Sequence, residues 1–414
     1  MRYQLFLLMA IVLLSCNTRE NNTSKNNRGL PQELTNQELA VSLSQKFIIT
    51  DGHIDLPYKL AEEGYMRAGN IPDLSQEIEG NFDFGKAKKG GLNAPFMSIF
   101  LPSKLQRKNG ASKALADSLI NMVEQITKTY PEHFALAGSP ADVINNFKND
   151  LVSLPMGMEN GSGLEDDLEN VQYFFDRGIR YITLTHGKVN RICDSSYDKK
   201  RSWNGLSPFG EEVVKEMNRV GIMVDISHVS DSTFYDVMAM TDVPCIASHS
   251  SVRQFVPGFE RNMSDDMIKL LASKQGVIQI NFGSTFLLGA SKDKWNTLKQ
   301  LNKEFAKEHP DANDSVKTAF ENNWMNENDF FADVTNAADH IDYVVDLVGI
   351  DYVGFGSDFD GVGNSLPVGL KTAADYPNLI AELLNRGYSE SDIEKICYKN
   401  VFRVWNAVLD SSEK

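Results

Sequence analysis

Past residue 46 the chain alternates short apolar runs with stretches whose apolar residues recur at helical spacing. Eight runs stand out, at 47–53, 94–100, 151–158, 179–185, 222–227, 244–248, 276–282 and 352–357. They are rich in Val, Ile, Leu and Phe and continuous rather than strictly alternating, which predicts parallel strands covered on both faces. Between them, Leu164 to Arg177 and Pro208 to Val220 read as helices stopped by Gly178 and Gly221. Ser264 before Asp265 and Asp266 marks a helix start, with acid where the helix dipole is positive. Repeated strand–helix units make an α/β protein, and eight in one domain favour a closed (β/α)8 TIM-like barrel. Two segments are too long for simple connections, about 57–93 and 287–335. The second carries Trp295, Phe305, Phe320, Trp324 and Phe330 among many charges and predicts a helical insertion over the barrel mouth, or a partner surface.

In such a barrel the active site lies at the C-terminal ends of the strands, so the residues that end each run matter most. The first run ends in Asp51-Gly52-His53-Ile54-Asp55, the third at Glu159, the fourth at His186, the fifth at His228, the sixth at His249 and the eighth at Asp358. Four of the chain's seven histidines thus fall at predicted strand ends. Residues two apart on extended backbone share a face, so His53 and Asp55 can grip one ion. His228 and His249 lie about one strand–helix repeat apart and should project from neighbouring strand ends, and imidazole suits zinc and similar cations. Glu159 closes an apolar run, and a carboxylate there needs a partner. Bridging a His/Asp site and a His/His site satisfies that need; capping the next helix is the competing reading. Asp358 could otherwise be a solvated turn acid, Arg261 a surface partner of Asp265 or Asp266, and His186 a core histidine. His133 and His309 carry no usable motif, and His340, on an apolar helical pattern, reads as structural.

Composition narrows the function. The 414 residues hold 41 Lys+Arg against 56 Asp+Glu, a net charge of −15, which excludes a nucleic-acid-coating surface. At the start, Arg2 precedes the apolar run Leu5 to Leu14, too short to span a bilayer, and then Leu13-Leu14-Ser15-Cys16. This tetrad looks like a bacterial lipobox in which Cys16 is lipidated, giving an exported, membrane-anchored lipoprotein, periplasmic or at the cell surface. Residues 1–15 then form the signal peptide, 16–45 a flexible polar tether, and 46–410 a single barrel domain. Cys193, Cys245 and Cys397 form no Cys-x-x-Cys pair, so neither a zinc ribbon nor a disulfide framework is expected.

Taken in order, Asp51-Gly52-His53-Ile54-Asp55-Leu56-Pro57, Thr183-Leu184-Thr185-His186, Asp225-Ile226-Ser227-His228-Val229-Ser230, His249-Ser250-Ser251, Arg261-Asn262 and Gly356-Ser357-Asp358-Phe359-Asp360-Gly361 resemble the renal (membrane) dipeptidase family. The resemblance runs from about residue 48 to 405. It implies a binuclear zinc peptidase on a TIM-like barrel of the metal-dependent hydrolase type, with two Zn2+ per chain. By position, His53 and Asp55 match ligands of one zinc, His228 and His249 ligands of the other, and Glu159 the bridging glutamate. His186 and Arg261 match substrate-binding residues, and Asp358 the acid that assists proton transfer. Asn160-Gly161-Ser162 departs from the Gly-Gly-His common in the family, and the 287–335 insertion could reshape the pocket.

The resemblance implies a dipeptidase in which a zinc-bridged hydroxide attacks the peptide carbonyl. His186 would donate to the oxyanion, Arg261 would take the substrate carboxylate, and Asp358 would move the proton. A D-residue at the C-terminal position is among the options, as is a homodimer, since family members are often dimers. The alternatives are a related metal amidohydrolase acting on another amide, lactam or lactone, and a lipoprotein that binds peptides without turnover.

Overall fold

A computed structural model describes residues 34–68 and 71–412. The expected signal peptide, Cys16 and most of the expected tether lie outside the described residues. Ten strands occur among the described residues: β1 (Ile49–Ile54), β2 (Leu92–Phe100), β3 (Phe134–Leu136), β4 (Val152–Leu154), β5 (Met156–Glu159), β6 (Ile179–Thr183), β7 (Met223–Asp225), β8 (Ile246–Ser250), β9 (Val277–Ile280) and β10 (Val353–Phe355). Eight of them pair in parallel in the order β1-β2-β5-β6-β7-β8-β9-β10. The ring closes just beyond the strand ends. Ile54 bridges Phe359, the Asp55 N–H donates to the Phe359 carbonyl at 2.9 Å, and the Asp358 N–H donates to that of His53 at 3.1 Å. This is the expected (β/α)8 TIM-like barrel.

Each of the eight apolar runs supplies a barrel strand, but the third is not one strand. Pro155 breaks it, because proline has no N–H for a ladder. The first half, β4, pairs with β3 in a separate two-stranded sheet, and only β5 enters the barrel. The helix Pro208–Val220 ends at Gly221 (φ 97°) as expected, and Ser264 caps the helix Asp265–Ser273 through the Met267 N–H. The tether expected to reach residue 45 needs correction. Asn36–Lys46 is a helix, started by a capping box between Thr35 and Glu38, with Ala40 and Leu43 buried in the core. A Thr-x-x-Glu leading into apolar residues outweighs the polar composition of that stretch.

Two apolar layers hold the barrel. One lies between strands and outer helices; the other fills the interior with Ile48, Ala94, Phe96, Tyr181, Met223, Ile246 and Val277, closed by Trp405 of the helix Asn400–Ser411. Trp405 is fully buried, 5.1 Å from the Phe96 ring. Gly157 on β5 faces Tyr181 on β6, and a Cβ there would lie 2.0 Å from the tyrosine Cζ, so only glycine admits this ring. Cys193, Cys245 and Cys397 are buried free thiols.

The insertion folds as the helices Gly289–Glu308 and Asp314–Glu327. Its aromatic residues do not form the outward interface that the partner-binding reading needs. Phe330 is buried with Leu298 and Met325, backed by Trp295, Phe320 and Trp324, and Phe305 stacks on Phe320 at 4.3 Å. Among the described residues no helix is long and apolar enough to cross a membrane.

Candidate active site

The strand ends bring together His53, Asp55, Glu159, His186, His228, His249 and Asp358. His53 is the penultimate residue of β1, Glu159 ends β5 and His249 lies within β8. Asp55 is not on the extended run but one residue past it, at the start of the helix Leu56–Glu62, and that bend turns its carboxylate back to His53. His186, His228 and Asp358 each stand three residues beyond a strand. His228 (φ 67°), Asp358 (φ 62°), Asp360 (φ 63°) and Asn160 (φ 80°) occupy the left-handed region, where Asn, Asp and His are the non-glycine residues best tolerated.

Glu159 turns one oxygen to each side of the cluster. Its Oε2 lies 3.5 Å from His53 Nε2, which is 3.6 Å from Asp55 Oδ2. Its Oε1 lies 3.0 Å from His228 Nε2 and 3.4 Å from His249 Nε2, with His186 Nε2 at 3.8 Å. The donor atoms of His53, Glu159 and His249 lie within 4.8 Å of one another, as do those of Glu159, His186 and His228 and those of His53, Asp55 and Asp358. Gly361 is needed here, since a Cβ on it would lie 2.2 Å from both the Asp55 and the Asp358 carboxylate.

The surrounding hydrogen bonds fit a candidate cation site. Tyr181 donates to the Gly52 carbonyl (3.0 Å), so toward His53 Nδ1 (2.8 Å) it can only accept. Neutral His53 therefore keeps its proton on Nδ1 and turns the Nε2 lone pair into the cluster. In the metal-free chain burial opposes the charged form, but Tyr181, Glu159 and Asp55 outweigh it and raise the imidazole well above its usual range. Ser248 repeats the device, donating to Asp225 Oδ2 (2.6 Å) and accepting from His249 Nδ1 (2.7 Å). His53 Nε2 and Asp55 Oδ1 are buried without a hydrogen-bond partner. His228 Nε2 and His249 Nε2 face each other at 2.9 Å, and with the His249 proton on Nδ1 its Nε2 turns a lone pair into the cluster. Buried lone pairs converging in this way suit divalent cations bound by imidazole and carboxylate. His53 and Asp55 with Glu159 Oε2 would hold one; His228 and His249 with Glu159 Oε1 would hold another.

Burial favours a neutral Glu159, yet the imidazoles around it prevail and hold its carboxyl well below the usual range. Burial pushes the imidazoles of His228 and His249 well below theirs, helped by Arg261. The Asp358 carboxyl is pushed up to about 7 by burial; the His53 charge pulls it down, Asp55 and Glu159 raise it again, and the Asn281 side chain donates to it at 2.8 Å.

Asp55, Glu159, His186, His228 and Asp358 floor a cavity of about 550 Å3 that also reaches Tyr58, Phe100, Tyr197, Phe286 and, from the insertion, Lys292 and Trp295. His186 lines it with 28% of its side chain exposed, so it is not a core histidine. Arg261 does not pair with Asp265 or Asp266. It is buried beneath Phe286 and donates to Ser250 Oγ (2.6 Å) and to the His249 carbonyl (2.8 Å). A guanidinium carries five N–H groups, so three remain for a ligand anion. In the loop that departs from the family pattern, Asn160 donates to the Leu101 carbonyl and accepts from the Ser162 N–H.

Sequence reasoning missed the supports beneath the ligands: Tyr181, Ser248, Asn281, Asp51 and Asp225. Asp225 accepts from Thr183, from Ser227 N–H and from Ser248, joining β6, β7 and β8. Asp51 accepts from the His53 and Ser357 N–H groups and from Tyr376, joining β1 to the loop after β10. An acid inside an apolar run was the available signal for both.

A family profile described as "Membrane dipeptidase (Peptidase family M19)" matches residues 37–414. The chain is 28% identical over 382 residues to dipeptidase 3 of Mus musculus, covering 91% of this chain and 68% of that protein. A solved structure of the probable dipeptidase PvdM from Pseudomonas aeruginosa superposes with a TM-score of 0.77 at 25% identity, covering 91% of this chain and 99% of that one. A metallopeptidase from Rhodobacter sphaeroides, bound to a phosphinate mimic of L-Ala-D-Ala, superposes with a TM-score of 0.70 at 22% identity and shares the fold; it covers 87% of this chain and 99% of that one. With its barrel, its converging ligand set and this profile across nearly the whole chain, the protein belongs to the membrane dipeptidase family, peptidase family M19, and is a metal-dependent dipeptidase.

Proposed function

We propose that the protein hydrolyses free dipeptides with two zinc ions per chain and accepts a D-residue at the C-terminal position. The observation that carries the zinc pair is Glu159, with one oxygen toward His53 and the other toward His228 and His249. The dipeptide mimic held by the Rhodobacter sphaeroides relative supports the D-residue. When bound, paired cations supply Lewis acidity and lower the pKa of water.

The remaining work falls to the chain's own groups. His186, at the cavity wall, donates a hydrogen bond to the carbonyl oxygen as charge builds on it. The free N–H groups of Arg261 draw the substrate carboxylate toward the floor. Asp358, with a carboxyl near neutrality, takes a proton from water and passes it to the leaving amine, while Asn281 fixes one of its oxygens. The Leu13-Leu14-Ser15-Cys16 tetrad supports a lipid anchor at Cys16; radiolabelled palmitate retained by a Cys16→Ala variant would refute it.

The decisive test compares chelator-stripped and zinc-reloaded protein on L-Ala-L-Ala, L-Ala-D-Ala, their C-terminal amides and a simple lactam. Hydrolysis of the free dipeptides with two zinc ions bound, slowed on the amides, is expected. Full turnover in chelator, or turnover of the lactam alone, would overturn the reading.

A further inference from the structure

The insertion helix Gly289–Glu308 sends Lys292, Trp295 and Lys299 to the active-site cavity. Their spacing of three and four residues puts them on one helical face. The Lys292 ammonium stands 3.6 Å from the centre of the Phe259 ring. Phe259 meets Phe286 edge-on at 5.5 Å, and the Arg261 guanidinium lies 5.4 Å from the Phe286 ring. Two aromatic rings thus link Lys292, at the cavity, to the buried Arg261. Lys299 lies near Trp295, 5.5 Å from its ring.

Among the described residues, no carboxylate pairs with either ammonium, although the chain carries a net charge of −15. The acids of the cavity are Asp55, Glu62, Asp358 and Asp360, from the segments just past β1 and β10, and Glu159 at the end of β5; none of them pairs with Lys292 or Lys299. Burial and the Lys299 charge push the Lys292 ammonium down to about 8, as befits a cation left without a counter-ion. A neutral dipeptide brings one carboxylate, for which Arg261 suffices. Two further cations at the cavity have no use for it.

We propose that the insertion makes this enzyme selective for dipeptides with an acidic C-terminal residue, whose side-chain carboxylate is held by Lys292 and Lys299. The selectivity rests on the dipeptidase reading above. An aspartate or glutamate side chain, rooted beside the α-carboxylate, reaches outward from Arg261 toward the insertion. There it supplies the missing counter-ion in a partly desolvated setting, where a charge-assisted contact is strong.

The test measures kcat and KM of zinc-loaded protein on Ala-Ala, Ala-Glu and Ala-Lys, each with L or D stereochemistry at the second residue. The wild type should favour Ala-Glu over Ala-Ala roughly tenfold in kcat/KM, chiefly through KM, the worth of one charge-assisted contact. In K292Q/K299Q that ratio should fall to about one, and in K292E the preference should pass to Ala-Lys. Equal turnover of Ala-Ala and Ala-Glu by the wild type, or a ratio unchanged in the double variant, overturns the selectivity alone. Failure of the wild type on every dipeptide overturns the reading beneath it.

Discussion

Replacing Tyr181 with Phe tests whether an apolar barrel interior orients the metal ligands. The ring is fully buried and phenylalanine keeps its shape, so the change removes little but the hydroxyl. That hydroxyl accepts from His53 Nδ1 at 2.8 Å and donates to the Gly52 carbonyl at 3.0 Å. Both groups lose their partner in a site closed to water, at about 1–3 kcal/mol for each buried polar group. The imidazole also loses what fixes its tautomer, so Nε2 no longer always presents a lone pair to the cluster. Loss of such a support typically lowers metal affinity about 10–100-fold. Zinc affinity is read by competition with a chromophoric chelator, stability by urea unfolding of the metal-free chain, and activity at saturating zinc. Tyr181→Phe should unfold at lower urea, bind zinc at least about tenfold more weakly and regain part of its activity at high zinc. Unchanged zinc affinity would refute the orienting role, even if stability fell.

Glu159→Ala should abolish hydrolysis and lower the zinc content measured by atomic absorption; full activity with less than one metal per chain would contradict the bridging role. Gly157→Ala should destabilise by about 1–3 kcal/mol in urea and weaken zinc binding, because a Cβ 2.0 Å from Tyr181 Cζ drives the ring aside. Wild-type zinc affinity in that variant would contradict the close fit. Burial holds the His340 imidazole down to about 4, while its Nδ1 accepts from the Val252 N–H and its Nε2 donates to the Leu287 carbonyl. Between about 6.5 and 4 the unfolded chain binds a proton that the folded one refuses, so stability falls as the pH drops through that window, by about 3 kcal/mol in full. Urea midpoints from pH 7 to 5 should fall less steeply in His340→Gln, and an identical slope would count against the assignment.

The legible parts of the fold were those where one physical signal dominated. Continuous apolar runs gave all eight barrel strands, because both faces of such a strand are covered. Polar residues at their ends gave the candidate ligands, because His53, Glu159 and His249 close apolar runs at the rim where their donor atoms converge. Pro155 was visible in the third run, but only the pairing of β4 with β3 shows that the chain changes sheets at it. The helix Asn36–Lys46 was hidden by polar composition, although Thr35 and Glu38 spelled its start. Tyr181 looked like any core aromatic; its role depends on which atoms meet its hydroxyl across the barrel, and no spacing along the chain encodes that.

His228 and Asp358, both in the left-handed backbone region, bear on how the enzyme trades durability against activity. Each holds a conformation that costs a side-chain-bearing residue of order 1 kcal/mol and a glycine almost nothing. Selection for a sturdy cylinder alone would have put glycine at both. A variant with glycine at the two positions should therefore melt higher in metal-free form while losing its chemistry, and screens that reward heat resistance without assaying turnover would drift toward an inert, tougher barrel.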